Sequence, residues 1–336
     1  MIPQDKSDAV AHALDAAFGI STFEDLTQLT TGLSTALVYR IVVKSRPYLL
    51  RIITSREAIA DPTRQFACMR SAADAGLAPQ IRYTSIEDRI LITDFVSARV
   101  FPRTEALVRL PEALKKLHAL PAFPRVVDFL DFVDRYIARF RATNILPESE
   151  TGELFRLYAS VTRVYPRNDA DLVSSHNDLK PENILFDGNQ VWLVDWEAAF
   201  LNDPYFDLAV VANFVATTDA EEQALLGNYF GEPAGEYRTA RFYLMRQVVN
   251  MSYSMVFTLL GSSGKPIEPT AQIPIFRDFH NAIWSGDISL ATNETRLLYG
   301  RVHMAQLLRT LQSPRFQDSL RIVSNHSSAP QPIPSA

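Results

Sequence analysis

The stretch His176-Asn-Asp-Leu-Lys-Pro-Glu-Asn-Ile-Leu-Phe186, with Val191-Trp-Leu-Val-Asp-Trp-Glu197 shortly after it, is the most informative part of the sequence. Two short apolar runs flank Asp187-Gly-Asn-Gln190, and this pattern predicts a β-hairpin closed by an Asp-Gly turn. Asn183 precedes the first strand and Asp195 follows the second. Because the strands of a hairpin are antiparallel, we expect both side chains to lie at the same end.

Three residues in this stretch match the requirements of phosphoryl transfer. Such a site needs an Asp that accepts the proton of a hydroxyl group, an Asn that binds a metal ion, and a second metal-binding Asp. Asp178, Asn183 and Asp195 supply these groups in the required order. We therefore predict Asp178 and Asn183 as catalytic residues, and Asn183 and Asp195 as metal ligands. Oxygen ligands favour Mg²⁺, and the expected phosphoryl donor is ATP.

The pattern His-x-Asp-x-x-x-x-Asn, with Asp195-Trp-Glu197 after it, resembles the catalytic core of the aminoglycoside phosphotransferase and choline kinase superfamily. Asn202-Asp-Pro-Tyr-Phe-Asp-Leu-Ala209 is similar to the segment that follows the metal-binding Asp there. The resemblance extends from about Leu29 to about Leu260 and is closest to bacterial choline/ethanolamine kinase-like phosphotransferases. It implies a bilobal α+β, protein-kinase-like fold, with a small antiparallel β lobe and a larger, mainly helical lobe that carries the catalytic hairpin.

The resemblance also implies roles for residues around the catalytic Asp. Asp207 is expected to support the catalytic loop, and His176 is expected to have a structural role without proton transfer. Lys180 is expected to stabilise charge on the transferred phosphoryl group, with a solvated surface lysine as the alternative. Glu197 is a supporting residue that could add negative charge for a cationic acceptor.

The nucleotide-binding residues are predicted from their positions in the chain. Thr31-Gly-Leu-Ser-Thr-Ala36 lies where the superfamily has a short phosphate-covering loop, so Ser34 and Thr35 are candidate phosphate ligands. The apolar pattern of the strands stops at Asp94–Ser97, which is the expected hinge. We include Asp94 among the nucleotide-binding candidates.

Arg51 takes the place of the strand Lys that holds the nucleotide phosphates in protein kinases. Its planar guanidinium binds two phosphate oxygens at once, so the substitution preserves the function and changes the geometry. The following helix has Gln65 or Arg64 where a Glu partner is expected. Glu57 and Asp61 are candidate substitutes for that partner. The alternative is that Arg51 is a solvent-facing strand residue.

The acceptor is open to several interpretations. We expect an amino alcohol such as choline or ethanolamine, because aromatic side chains of the C-terminal half could bind its ammonium group by cation–π attraction. An aromatic stripe at helical spacing is also typical of a core, so an aminoglycoside, sugar or homoserine kinase is the alternative. A nucleotide-binding pseudokinase is an alternative of another class. A protein kinase is disfavoured, because Asp195-Trp-Glu197 replaces Asp-Phe-Gly and no Ala-Pro-Glu motif follows.

Composition restricts the partners and the compartment. The 336 residues include 47% hydrophobic residues and carry a formal net charge of −5, with a pI near 5.7. The chain therefore has no overall positive charge that would attract nucleic acid. A cationic small-molecule substrate with a hydroxyl group is favoured. The N-terminus lacks a signal-peptide pattern, and the apolar stretch 208–216 has about half the length of a membrane span. We expect a cytoplasmic protein without a membrane segment, and the single Cys68 fits a reducing compartment.

The remaining patterns predict three regions. Residues 1–96 are expected to form the nucleotide-binding lobe, with an N-terminal helix, antiparallel strands, and a helix capped by Asp61 and ended by Gly76. Residues 97–322 are expected to form the catalytic and substrate-binding lobe. Residues 323–336 are rich in Pro and Ser and are expected to be a disordered tail.

Overall fold

The computed structural model describes residues 1–29, 36–55, 61–263, 267 and 272–328. The chain divides into two compact units, each built from two separate parts of the sequence. The first unit contains Met1–Arg125 and Val173–Leu201, and the second unit contains Val126–Leu172 and Asn202–Ala336. The lobe boundary predicted after residue 96 stays a prediction.

The first unit begins with one helix and five strands: α1 (Ser7–Phe18), β1 (Asp25–Leu29), β2 (Leu37–Val43), β3 (Arg46–Ile52), β4 (Ile81–Ser85) and β5 (Ile90–Asp94). The strands form one antiparallel sheet in the spatial order β1-β2-β3-β5-β4. Alternate residues of β2, namely Tyr39, Ile41 and Val43, are buried and share an apolar core with Leu14 of α1. The small antiparallel sheet that the resemblance implies is confirmed.

Helix α2 (Pro62–Asp74) begins where its sequence predicts. The Asp61 carboxylate accepts a hydrogen bond from the backbone N–H of Thr63 at 2.8 Å, and the proline at the first position needs no N–H partner. The helix ends just before Gly76, the residue predicted to end it. Cys68 is buried in α2, and burial raises the pKa of its thiol to about 11, so this side chain serves in packing.

The first unit continues with α3 (Arg103–His118), β6 (Val173–Ser175), β7 (Ile184–Phe186), β8 (Val191–Leu193) and β9 (Phe200–Asn202), which reaches the unit boundary. Strands β7 and β8 form the predicted hairpin. In its turn, Asp187 Oδ1 accepts hydrogen bonds from the backbone N–H groups of Asn189 and Gln190, both at 2.8 Å. Gly188 has a φ of +100°, where a side chain would be strained. The local turn chemistry therefore accounts for the hairpin.

The second unit is helical in its described residues. Its helices are α4 (Phe129–Thr143), α5 (Glu148–Val164), α6 (Pro204–Val215), α7 (Asp219–Phe230), α8 (Glu236–Ser262), α9 (Phe276–Ser285), α10 (Asn293–Leu311) and α11 (Pro314–Ser328). Helices α8 and α10 approach so closely that a Cβ atom on Gly300 would lie 2.6 Å from the backbone nitrogen of Thr258. Glycine is required at that crossing.

Helix α11 continues to Ser328, past residue 323, where a disordered tail was expected to begin. Val323 is fully buried, which explains why the helix extends through this position. Residues 329–336 lie outside the described residues. Within the described part of the chain, no helix has the length and apolar character needed to cross a membrane.

Candidate active site

The predicted catalytic residues meet at the open end of the hairpin. Asn183 ends a 3₁₀ turn (Pro181–Asn183) that leads directly into β7. Its Nδ2 donates hydrogen bonds to Asp178, at 2.9 Å to carboxylate Oδ2 and at 2.8 Å to the backbone carbonyl. The backbone N–H of Val194 donates to the Asn183 carbonyl at 3.0 Å, which joins the end of β8 to the start of β7. The loop with the predicted base and the strands with the predicted metal ligands are thus one hydrogen-bonded structure.

Asn177 and Asp195 have left-handed backbone conformations, with φ of +65° and +66°. Such a conformation costs a non-glycine residue about 1–3 kcal/mol and persists where the surroundings hold it. Asn177 Nδ2 donates hydrogen bonds to the carbonyls of Ala198, at 3.0 Å, and Phe200, at 3.2 Å. These bonds tie the loop that contains Asn177 to the segment that follows Asp195.

His176 is fully buried between backbone and ring contacts. Its Nε2 donates a hydrogen bond to the carbonyl of Val194 at 2.9 Å, because a carbonyl oxygen can only accept. Its ring centre lies 4.7 Å from that of Trp196. These contacts hold both neighbours of Asp195, and the supporting role of His176 stays a prediction.

Arg51 on β3 pairs with two carboxylates that follow the hairpin. Its Nη1 donates to Asp195 Oδ1 at 3.0 Å, and its Nη2 donates to Glu197 Oε1. Its side chain is 11% exposed, so the alternative of a solvent-facing strand residue is wrong. Glu197 was not predicted as this partner, because the partner was expected near α2. The available signal was the spacing of the two carboxylates, with Asp195 just before the 3₁₀ turn Trp196–Ala198 and Glu197 in its middle.

The other residues considered near Arg51 have different positions. Asp61 caps α2. Arg64 Nη2 donates to the backbone carbonyl of Glu197 at 2.7 Å, so it holds the turn that carries the partner of Arg51. Three further candidates lie outside the described residues: Ser34, Thr35 and Glu57.

Lys180 belongs to the ion network of the catalytic loop. Its Nζ donates to Asp178 Oδ2 at 2.6 Å, and its side chain is 12% exposed. Burial alone would lower the pKa of Lys180, but the nearby charges of Asp178, Asp195 and Glu182 raise it above its ordinary value. Lys180 is therefore charged at neutral pH, and the alternative of a solvated surface lysine is wrong.

A cavity of about 270 Å³ lies within the first unit, close to the lower end of the size range of ligand pockets. Its wall combines apolar side chains of the sheet, such as Val38 and Leu49, with polar residues. The polar residues include Arg51, Glu182, Asn183 and Asp195. Asp94 also lines the cavity, but its carboxylate forms a two-point ion pair with Arg82, at 2.7 and 2.8 Å. The Asp94 side chain is thus already bound within the chain.

Asp207 belongs to the second unit, where it is fully buried in the first turn of α6. Asp203 caps this helix by accepting a hydrogen bond from the backbone N–H of Tyr205 at 2.9 Å. Asp203 also accepts a hydrogen bond from Arg241 at 2.7 Å. The start of α6 is therefore firmly anchored, and the supporting role of Asp207 stays a prediction.

The predicted metal ligands have the chemistry that Mg²⁺ requires. The side-chain amide nitrogen of Asn183 points to Asp178, so its side-chain oxygen is available to coordinate a cation. Asp195 adds a carboxylate that is 23% exposed. Mg²⁺ takes one or two such oxygen ligands together with waters and nucleotide phosphates. Asn183 and Asp195 therefore fit this ion.

The profile of the phosphotransferase enzyme family, APH, matches residues 25–243, which extend from β1 into α8 and make up more than half of the chain. The chain belongs to this family. The predicted superfamily and the predicted enzyme class, a phosphotransferase, are confirmed.

Solved structures similar to this phosphotransferase confirm the protein-kinase-like fold. The choline/ethanolamine kinase family protein from Mesorhizobium loti is 21% identical, with a TM-score of 0.67 over 95% of this chain and 99% of that one. Choline kinase LicA from Streptococcus pneumoniae is 16% identical, with a TM-score of 0.60 over 90% and 100%. Protein LicA of Haemophilus influenzae is 34% identical over 71 residues, so the match spans only 21% of each chain.

Proposed function

We propose that this phosphotransferase transfers the γ-phosphoryl group of ATP to a hydroxyl group of a small molecule. One observation carries the proposal: the Asn183–Asp178 hydrogen bond and the Arg51–Asp195 ion pair are parts of one site beside a single cavity. The base, the metal ligands and the phosphate-binding cation of the phosphoryl-transfer template are all among these residues. A protein that only binds a nucleotide would not need the base together with both metal ligands, which disfavours a pseudokinase.

Asp178 is the base in this proposal. Its Oδ2 accepts hydrogen bonds from Lys180 and Asn183, and these two donors fix the orientation of the carboxylate. Oδ1 then accepts the hydrogen bond of the acceptor hydroxyl and takes its proton as the phosphoryl group is transferred. Lys180, which is charged, stabilises the negative charge on the transferred group.

Arg51 and the metal ligands bind the phosphates of the nucleotide. Arg51 is held beside the cavity by Asp195 and Glu197, so its guanidinium needs little reorganisation to bind phosphate oxygens. Asn183 and Asp195 would hold Mg²⁺, which neutralises charge on the phosphate oxygens when it is bound. Because Glu197 pairs with Arg51, its charge is used on the nucleotide side and not for an ammonium group.

The acceptor in this proposal is an amino alcohol such as choline or ethanolamine. The similar structures from M. loti and S. pneumoniae are a choline/ethanolamine kinase family protein and a choline kinase, which supports this class. The net charge of −5 supports a cationic acceptor as well.

A coupled assay of ADP release with Mg²⁺ and ATP tests the function. The panel contains choline, ethanolamine, aminoglycosides, homoserine and simple sugars, and Asp178→Asn is the blank. We expect choline or ethanolamine to stimulate ADP release in the wild-type chain alone. Stimulation by another class would replace the proposed acceptor, and silence of the whole panel would contradict the proposed kinase activity.

A further inference from the structure

Glu182 is a charged residue of the cavity that has no part in the proposed transfer. It is the middle residue of the 3₁₀ turn Pro181–Asn183 and lines the cavity together with Asn183. Its carboxylate atom Oε2 is buried and accepts no hydrogen bond from the described residues. A buried carboxylate oxygen without a donor destabilises a protein, so we expect Oε2 to have a donor beyond the described residues, such as a molecule bound in the cavity.

The neighbouring cations do not supply this donor. Lys180 Nζ donates to Asp178 at 2.6 Å, and Glu182 acts on Lys180 only through its charge. Arg51 pairs with Asp195 and Glu197.

A nucleotide offers few groups that can donate to a carboxylate. Its phosphate oxygens are negative acceptors, which Glu182 repels. The remaining donors are the amino group of the base and the hydroxyl groups of the ribose. Glu182 adjoins the predicted metal ligand Asn183 and therefore lies toward the phosphates. The ribose joins the phosphates to the base, so its hydroxyl groups are the donors nearest to Glu182.

We propose that Glu182 accepts hydrogen bonds from the ribose hydroxyl groups and so makes the site selective for ribonucleotides. This inference rests on the proposed use of ATP. It adds recognition of the sugar, which the residues that hold the phosphates and the metal do not provide.

Calorimetric titration with ATP, 2′-deoxy-ATP and 3′-deoxy-ATP in the presence of MgCl₂ tests this inference without knowledge of the acceptor. We expect the wild-type chain to bind ATP about 10-fold more tightly than at least one deoxy analogue, because a hydrogen bond to a charged group is lost. In Glu182→Ala this ratio should fall to about 1. In Glu182→Gln, which keeps the shape and removes the charge, the ratio should lie between these values.

The matched control is Glu112→Gln on the exposed face of α3, which should keep the wild-type ratio. Equal affinity of the wild-type chain for all three nucleotides would overturn the inference. This comparison of nucleotides requires no variant of the protein. A ratio that survives in folded Glu182→Ala and Glu182→Gln would overturn it as well. If the wild-type chain bound no ATP in the presence of Mg²⁺, the proposed function itself would fail first.

Discussion

The two units use buried ion pairs in different ways. In the first unit, the carboxylates of Asp195 and Asp178 are 23% and 32% exposed, although the cations that pair with them are only 11% and 12% exposed. In the second unit, Arg246 and Glu222 form an ion pair in which the side chains are 10% and 7% exposed. Asp195 and Asp178 therefore keep part of the carboxylate accessible to solvent. The Arg246–Glu222 pair is closed, because both of its side chains are almost fully buried.

We propose that this difference separates charges used for chemistry from charges used for structure. A carboxylate with an accessible edge can exchange water for a ligand while its other edge stays bound. A closed pair has partners only inside the protein, so removal of one partner leaves a buried charge uncompensated. Substitution should therefore reduce activity in the first unit and stability in the second.

The largest expected effect is on turnover. Asp178→Asn should lower kcat by ~10²–10⁴-fold, because the proposed base is lost, which corresponds to roughly 3 to 5 kcal/mol of activation free energy. The thermal midpoint should change little, since this side chain is about one-third exposed. The ADP-release assay and a thermal melt measure the two quantities. An unchanged kcat would remove Asp178 from the role of base.

The opposite response is expected for the closed pair. Glu222→Ala should lower the free energy of unfolding by about 3–5 kcal/mol, because Glu222 pairs with both Arg246 and Arg315. Urea unfolding measures this loss, and kcat of the folded variant should stay near the wild-type value. Glu197→Ala is the matched control: its side chain is 45% exposed, so its cost should stay below about 1 kcal/mol. Equal losses in both variants would contradict the distinction between the units.

Acid should weaken the second unit through His280 and His303. Burial lowers the pKa of His280 to about 3 and lowers the pKa of His303 well below its usual value. Below about pH 6.5 the unfolded chain binds protons that the folded chain excludes. The free energy of unfolding therefore falls as the pH drops, by at most about 1.4 kcal/mol per pH unit for each of these residues.

Urea unfolding between about pH 5 and 6.5 measures this slope. His280→Gln should reduce the slope of unfolding free energy against pH by the contribution of one histidine. Substitution of the exposed His12 by Gln should leave the slope unchanged. A wild-type slope in His280→Gln would show that this side chain already takes up its proton in the folded state.

The smallest expected effect concerns the geometry of Arg51, the proposed phosphate-binding cation. Arg51→Lys keeps the charge but cannot contact Asp195 and Glu197 through a planar fork. We expect the Kd for ATP in the presence of Mg²⁺ to rise by about 3- to 10-fold, or about 1 kcal/mol. Arg40→Lys, on the exposed part of β2, is the control. Unchanged affinity would show that Arg51 acts through charge alone.

The sequence predicts those parts of the site that local chemistry determines. The Asp187–Gly188 turn closes the hairpin with its own hydrogen bonds, and the Asp61 cap begins α2. The convergence of Asn183 and Asp195 follows from the hairpin. For these features the interacting residues are close in sequence, so their pattern was sufficient.

Other parts depend on contacts between distant residues. Glu197 reaches Arg51 because Arg64 holds the carbonyls of the turn that carries Glu197. No local pattern indicates that contact, so the partner of Arg51 was sought in the wrong segment. The pairing of Asp94 on β5 with Arg82 on the edge strand β4 was missed for the same reason.

The hairpin also gives the protein an optical property. The chain has three tryptophans, and two of them, Trp192 and Trp196, lie on either side of Asp195. The Trp192 indole N–H donates to Asp187 at 2.9 Å, and the Trp196 ring lies against His176. Trp284, in α9, belongs to the second unit. Intrinsic fluorescence should therefore report mainly on the hairpin and its surroundings, so the proposed binding of a nucleotide can be followed without an attached dye.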